Sequence, residues 1–132
     1  MTRHTLRFAA FAAALFFLKA SALYAQGPNL AQQYFGDGEF EKAAVVYGQL
    51  WEKDDRNEYF FSRYVECLLN LQQWEPAEKA IKKQIKRNSD NETLYVTYGS
   101  LFDRQNKTAE ATEQYNKAIE KMSADYAAVS RL

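Results

Sequence analysis

Few side chains in this chain could carry out covalent or proton-transfer chemistry. There is one histidine, His4, and one cysteine, Cys67. Imidazole is the commonest general base and the commonest metal ligand near neutral pH, but His4 lies in an N-terminal stretch that reads as a processing segment, which leaves the mature chain without one. Cys67 therefore has no histidine to take its proton. It sits in the apolar stretch Tyr59 to Leu71, the setting of a buried thiol, and a single cysteine permits no internal disulfide. Its distance from the processing segment also excludes it as the lipid-bearing first residue of a mature lipoprotein. Gly36-Asp37-Gly38 has the look of a phosphate loop, yet it lacks the following glycine and lysine and comes after a helical pattern instead of a strand. Asp54, Asp55, Asp90 and Asn91 have no calcium-loop spacing and read as helix caps. Glu39 and Glu41 fit the start of a helix, where the dipole favours acids. No enzyme activity, metal or cofactor is expected.

Two further patterns concern the surface. Lys79, Lys82, Lys83, Lys86 and Arg87 follow i, i+3, i+4, i+7, i+8 spacing and form one basic stripe on a helix. The stripe suits docking to an acidic partner or anionic lipid; it equally suits a solvated face with cations near a helix C-terminus, and the second reading is preferred. Asn91-Glu92-Thr93 and Asn106-Lys107-Thr108 match the N-glycosylation acceptor pattern, at positions that also suit helix capping.

The elements that must position these groups are helices. Alanine, glutamate, lysine and glutamine abound, with only two prolines and five glycines among 132 residues. At the N-terminus, Arg3, His4 and Arg7 precede the apolar run Phe8 to Leu18, and small residues follow. Eleven residues make about 16 Å of helix against a bilayer core of roughly 30 Å, so the run is an export signal and not a span. Cleavage is expected after Ala22 or Ala25, giving a signal peptide over residues 1–25. Losing Arg3, Arg7 and Lys19 leaves 14 basic against 17 acidic groups, a mature charge near −3 that disfavours nucleic acid.

Beyond the signal the chain repeats itself with a period of 34 residues. Ala43, Ala77 and Ala111 align. So do Phe40, Trp74 and Thr108; Tyr47, Ile81 and Tyr115; Leu30, Tyr64 and Tyr98; Tyr34, Leu68 and Phe102; and the smaller Ala31, Val65 and Gly99. Each unit has an apolar face at helical spacing, a polar break near Gly38, Gln72 or Asn106, and a second apolar face. The spacing predicts helices over 29–36, 39–53, 58–71, 74–86, 92–104 and 108–121. Pro28 and Pro76 fall in first turns, and Asp55 with Glu58 and Ser89 with Glu92 have capping-box spacing.

These residues, with stretches such as Tyr34 to Ala43, resemble the tetratricopeptide repeat family over residues 28 to about 123. Thr108 departs from the family's aromatic, and Asp55, Ser89 and Ser123 from its frequent proline. The resemblance implies an all-α, right-handed helical-hairpin solenoid of three repeats, 28–57, 58–91 and 92–124. Residues 125–132 are expected to form a partial fourth helix, with Val129 and Leu132 on the register of Tyr95 and Tyr98. Tyr126, Ala127, Val129 and Leu132 lack the polar outer face of a cap, which favours the start of a further repeat over a short improvised cap.

In this family the first helix of each pair lines a concave surface. Carried over by register, the partner-binding positions are Gln32, Phe35, Tyr59, Ser62, Arg63, Glu66, Leu69, Asn70, Val96, Ser100, Asp103 and Arg104. The basic stripe falls on a second helix, the convex side. The positions of the family's carboxylate clamp hold Pro28, Gln32, Arg63, Thr93 and Thr97, of which only Gln32 is a near substitute, so that clamp is not expected. The implied function is a non-enzymatic scaffold that binds a protein or peptide, exported to the periplasm or cell surface of a bacterium as an adaptor for assembly or transport. The alternative is the N-terminal sensor region of a longer membrane-bound signalling protein. Nucleic acid is not an expected partner, and membrane contact is expected only indirectly or through sequence beyond Leu132.

Overall fold

The computed structural model describes residues 27–129, which form six helices and no strand. The expected signal peptide over 1–25 and residues 130–132 lie outside the described residues. The helices are α1 (27–36), α2 (Phe40–Lys53), α3 (Glu58–Asn70), α4 (Trp74–Arg87), α5 (Glu92–Asp103) and α6 (Thr108–Val129). From α2 onward, the substantial packing is between helices consecutive in sequence. Pro76 is the third residue of α4, where its missing N–H has no intrahelical partner to lose.

The polar breaks within the repeating units share one backbone device. Gly38, Gln72 and Asn106 all adopt the left-handed conformation, at φ 74°, 56° and 58°. The next residue in each case closes the turn: the N–H groups of Glu39, Gln73 and Lys107 donate to the carbonyls of Tyr34, Leu68 and Phe102 at 2.8, 2.8 and 3.0 Å. This five-residue back-bond satisfies a carbonyl that the helix end would otherwise leave open. Glycine adopts the geometry without strain and asparagine tolerates it, whereas glutamine does so against its β-carbon.

Between units the capping differs from the expectation. The caps of α3 and α5 are Asn57 and Asn91, whose side-chain oxygens accept from the N–H groups of Phe60 at 3.2 Å and Thr93 at 3.0 Å. Asp55 and Ser89 stand two residues too early. Asp55 instead pairs with Arg87, and the Ser89 carbonyl accepts the Tyr95 hydroxyl at 3.0 Å.

Ala31 and the aligned alanines Ala43, Ala77 and Ala111 are all fully buried, which is what lets paired helices approach closely. One apolar cluster runs from Ala31 to Leu101. Trp51 joins α2 to α3 within it, its ring 5.6 Å from Phe61 and 5.7 Å from Tyr64. Cys67 is buried, and burial pushes its thiol up to about 11.

The expected partial fourth helix is not a separate element among the described residues. Residues 125–129 continue α6 without a break. The cause is local: where α2 and α4 end at Asp54 and Asn88, the third unit has Met122, and the Asp-Arg and Ser-Asp pairs that follow become Ser123-Ala124. The Ser123 hydroxyl donates to the Ile119 carbonyl at 2.8 Å, so even the one polar residue there bonds within the helix. No helix among the described residues is long and apolar enough to cross a membrane.

Candidate functional site

The side chains carried over by register lie on the first helices, α1, α3 and α5, and the structure gathers a subset of them. Arg63 is the centre. Its guanidinium lies over the Phe35 ring at 4.6 Å and over the Tyr59 ring at 5.5 Å, and its Nη1 donates to Glu66 Oε2 at 3.0 Å. Three elements of sequence converge to allow this. Phe35 sits at the end of α1, held edge-on against Phe40 at 5.5 Å and Tyr47 at 6.4 Å, while Tyr59, Arg63 and Glu66 share one face of α3. A planar guanidinium between two rings is fixed by cation–π attraction and keeps donors available in its plane.

Tyr47 braces this cluster from below. It is fully buried on α2, its hydroxyl lies 3.4 Å from that of Tyr59, and the two rings meet edge to face at 6.1 Å. Burial raises the Tyr47 phenol well above its ordinary range, while the hydrogen bond with Tyr47 holds Tyr59 below its ordinary value; either hydroxyl can be the donor. Sequence reading places Tyr47 in the core but does not reveal this second role, because the partner lies 12 residues away on another helix.

Between α3 and α5 lies a hollow of about 260 Å³ lined by Glu58, Tyr59, Phe61, Ser62, Asn91, Thr93, Leu94 and Thr97. Phe61 and Leu94 are buried and form an apolar floor. On the rim, Ser62 donates to the Tyr59 carbonyl at 3.0 Å and Thr97 to the Thr93 carbonyl at 2.9 Å. Both hydroxyl protons are thus taken within the helices, leaving the oxygens as acceptors. Tyr59, 45% exposed, forms a wall shared by the hollow and the Arg63 cluster. Thr93 and Thr97 are clamp positions by resemblance; in the structure they supply neutral lining.

The remaining register positions divide. Gln32, Ser62, Asn70 and Val96 are exposed, Ser100 is half-buried, and the Asn70 amide donates to the Glu66 carbonyl at 2.9 Å. Asp103 accepts the Tyr115 hydroxyl at 2.5 Å, a bond that pushes that phenol up to about 12. Arg104 is exposed as the C-cap of α5, at the end of the row. Leu69 is 6% exposed and belongs to the core cluster, so its side chain offers no contact to a ligand. It stands one turn on from Glu66 and next to the exposed Asn70, at the edge where the helix face turns into the core, an edge that register alone does not locate.

The basic stripe on α4 is real in placement, with all five side chains exposed, but it is not an unopposed cationic surface. Lys82 pairs with Glu78 at 2.6 Å, Arg87 pairs with Asp55, and Lys83 lies 4.7 Å over the Trp51 ring. Hydrogen bonds from Lys82 and then from Tyr98 hold the Glu78 carboxyl below its usual range. Lys79 and Lys83 border a wider depression of about 570 Å³ with Trp51, Tyr64, Glu52 and Glu75, whose rim carries both signs of charge. Among the described residues no group of histidine, cysteine and carboxylate side chains is arranged to hold a metal ion.

Compared with known proteins, residues 34–97 match the tetratricopeptide repeat family, from the end of α1 through α2, α3 and α4 into α5. Repeats of this kind generally mediate protein–protein interaction. No curated protein matches the chain.

Proposed function

We infer that this chain is a solenoid of three tetratricopeptide repeats, right-handed as such stacks are, that binds a protein or peptide segment along the face of α1, α3 and α5 and performs no catalysis. The observation that carries the reading is the Phe35–Arg63–Tyr59 cluster beside the apolar hollow: rigid aromatics, a pre-positioned guanidinium and a desolvated floor are the ingredients of a binding hot spot. An extended segment would set an apolar side chain on Phe61 and Leu94 and a polar group at Arg63. The N-terminal pattern of residues 1–25 supports export, and with it an adaptor role in assembly or transport at the periplasm or surface of a bacterial envelope.

Affinity capture from an envelope fraction tests this. Tyr59→Ala combined with Glu66→Lys removes the shared wall and reverses the charge beside Arg63, at positions outside the core. Captured partners are expected to bind roughly tenfold or more weakly, about 1.4 kcal/mol or above. Partners held with unchanged affinity would refute the assignment. Loss seen only on changing Lys79 and Lys86 to glutamate would move the site to the other face.

A further inference from the structure

The hollow between α3 and α5 is apolar at its floor and negative at its mouth. Phe61 and Leu94 are buried beneath it, and Tyr59 walls one side. Glu58 and Ser62 stand one turn apart on the α3 wall, Thr93 and Thr97 one turn apart on the α5 wall. Among the described residues no lysine or arginine lines it. Arg63, one turn along α3 from Tyr59, is engaged by Glu66 at 3.0 Å. Glu58 has no such partner: among the described residues no cation pairs with it, and one of its oxygens accepts from the neutral Asn91 amide at 3.0 Å. The helix ends do not reverse the sign. A helix N-terminus carries about half a positive charge, whereas the first turn of α3 holds the full carboxylate of Glu58 and that of α5 the carboxylate of Glu92.

We propose that this hollow takes the side chain of a lysine from the bound segment. The proposal rests on the partner-binding reading above and refines its occupant: the apolar contact with Phe61 and Leu94 is made by the four-carbon stem, and the ammonium meets the acceptors at the mouth. The Ser62 and Thr97 hydroxyls give their protons to backbone carbonyls at 3.0 and 2.9 Å, so toward a ligand their oxygens can only accept. With the second oxygen of Glu58 they match an ammonium, which has three rotatable donors and no acceptor. An arginine fits less well. Its planar fork is best met by both oxygens of one carboxylate, and Asn91 already occupies one of those of Glu58. A carboxylate side chain would meet only acceptors and a like charge.

The test is an amide chemical-shift titration of the isotope-labelled full chain with N-acetyl-lysine N-methylamide and with its norleucine counterpart, which keeps the four-carbon stem without the ammonium. A single residue binds weakly, with Kd on the order of 10 mM, so the titration runs to about 100 mM. The lysine probe is expected to shift the amides of Ser62, Leu94 and Thr97 and to bind about threefold to tenfold more tightly than norleucine. Glu58→Gln keeps an acceptor for Asn91 and is expected to abolish that preference while leaving norleucine binding unchanged. Norleucine bound as tightly as lysine, a preference that survives Glu58→Gln, or no shift at these amides overturns the proposal. The envelope capture reads the face separately. Partners lost there with Tyr59→Ala and Glu66→Lys, alongside a preference for norleucine here, would sink the lysine and keep the face; partners retained there would sink both.

Discussion

The ring of Tyr115 occupies the space where a side chain on Gly99 would begin. A β-carbon built on Gly99 would lie 2.3 Å from Tyr115 Cε1 and 2.6 Å from its Cδ1. The ring cannot swing aside freely, because its hydroxyl is bonded to Asp103 at 2.5 Å, one helical turn along α5. Gly99→Ala must therefore displace the ring or break that bond. Overpacking of this kind costs about 1–3 kcal/mol, against a helix-propensity gain of about 0.5–1 kcal/mol. A net loss of roughly 1–2 kcal/mol is expected in urea unfolding. Gly48→Ala is the matched control: its β-carbon would lie 3.0 Å from the edge of the half-buried Tyr64 ring, a contact the ring can relieve by a small tilt. A variant of Gly99 as stable as the parent would show that α5 and α6 are less tightly joined than described.

The three left-handed turn residues are not equally suited to their task. Gln72 holds φ at 56° with a full side chain, where the first unit uses Gly38. Gln72→Gly removes a β-carbon clash of about 1 kcal/mol while adding backbone freedom to the unfolded chain, and is expected to stabilise by about 0.5 kcal/mol. Gly38→Ala is expected to destabilise by about 1 kcal/mol. Thermal melts of the two variants should move in opposite directions, and a shift of the same sign in both would contradict the shared geometry.

Cys67 gives a pH-dependent readout. Its folded pKa is pushed from 9.0 up to about 11 by burial. A raised folded value means that the stabilisation is fully present below about pH 9 and is lost as pH rises toward about 11, because the unfolded chain ionises first. The slope of stability against pH over that interval should diminish in Cys67→Ala. At about pH 8 a thiol reagent should label Cys67 only as fast as the core opens, and labelling at the rate of a free thiol would place the side chain elsewhere.

The register of 34 residues was legible because every unit repeats the same burial problem: Ala43, Ala77 and Ala111 must be small where helices cross, and Gly38, Gln72 and Asn106 mark each reversal. Helix ends were less legible. Asn57 and Asn91 share their neighbourhood with Asp54, Asp55 and Asp90, all able to cap, and the outcome depends on which carboxylate a distant cation claims; Arg87 takes Asp55. Contacts of both ranges temper the basic stripe: Lys82 pairs with Glu78 on its own helix, while Arg87 and Lys83 reach Asp55 and Trp51 of the preceding unit. Leu69 was misplaced because a helix face assigned by family register has no sharp edge, and one residue of rotation separates groove from core. The length of α6 turned on the replacement of polar residues by Met122 and Ala124, a substitution pattern that weakens a stop without announcing its absence.

Because each helix from α2 onward rests chiefly on its immediate neighbours in the chain, damage travels poorly along this molecule. Heat or a pulling force should peel it from an end, one joint at a time, as a zipper opens, instead of shattering it at once. Fraying of the last turns of α6 would leave the hollow between α3 and α5 fully formed, so grip on a ligand and integrity of the tail can fail at different temperatures.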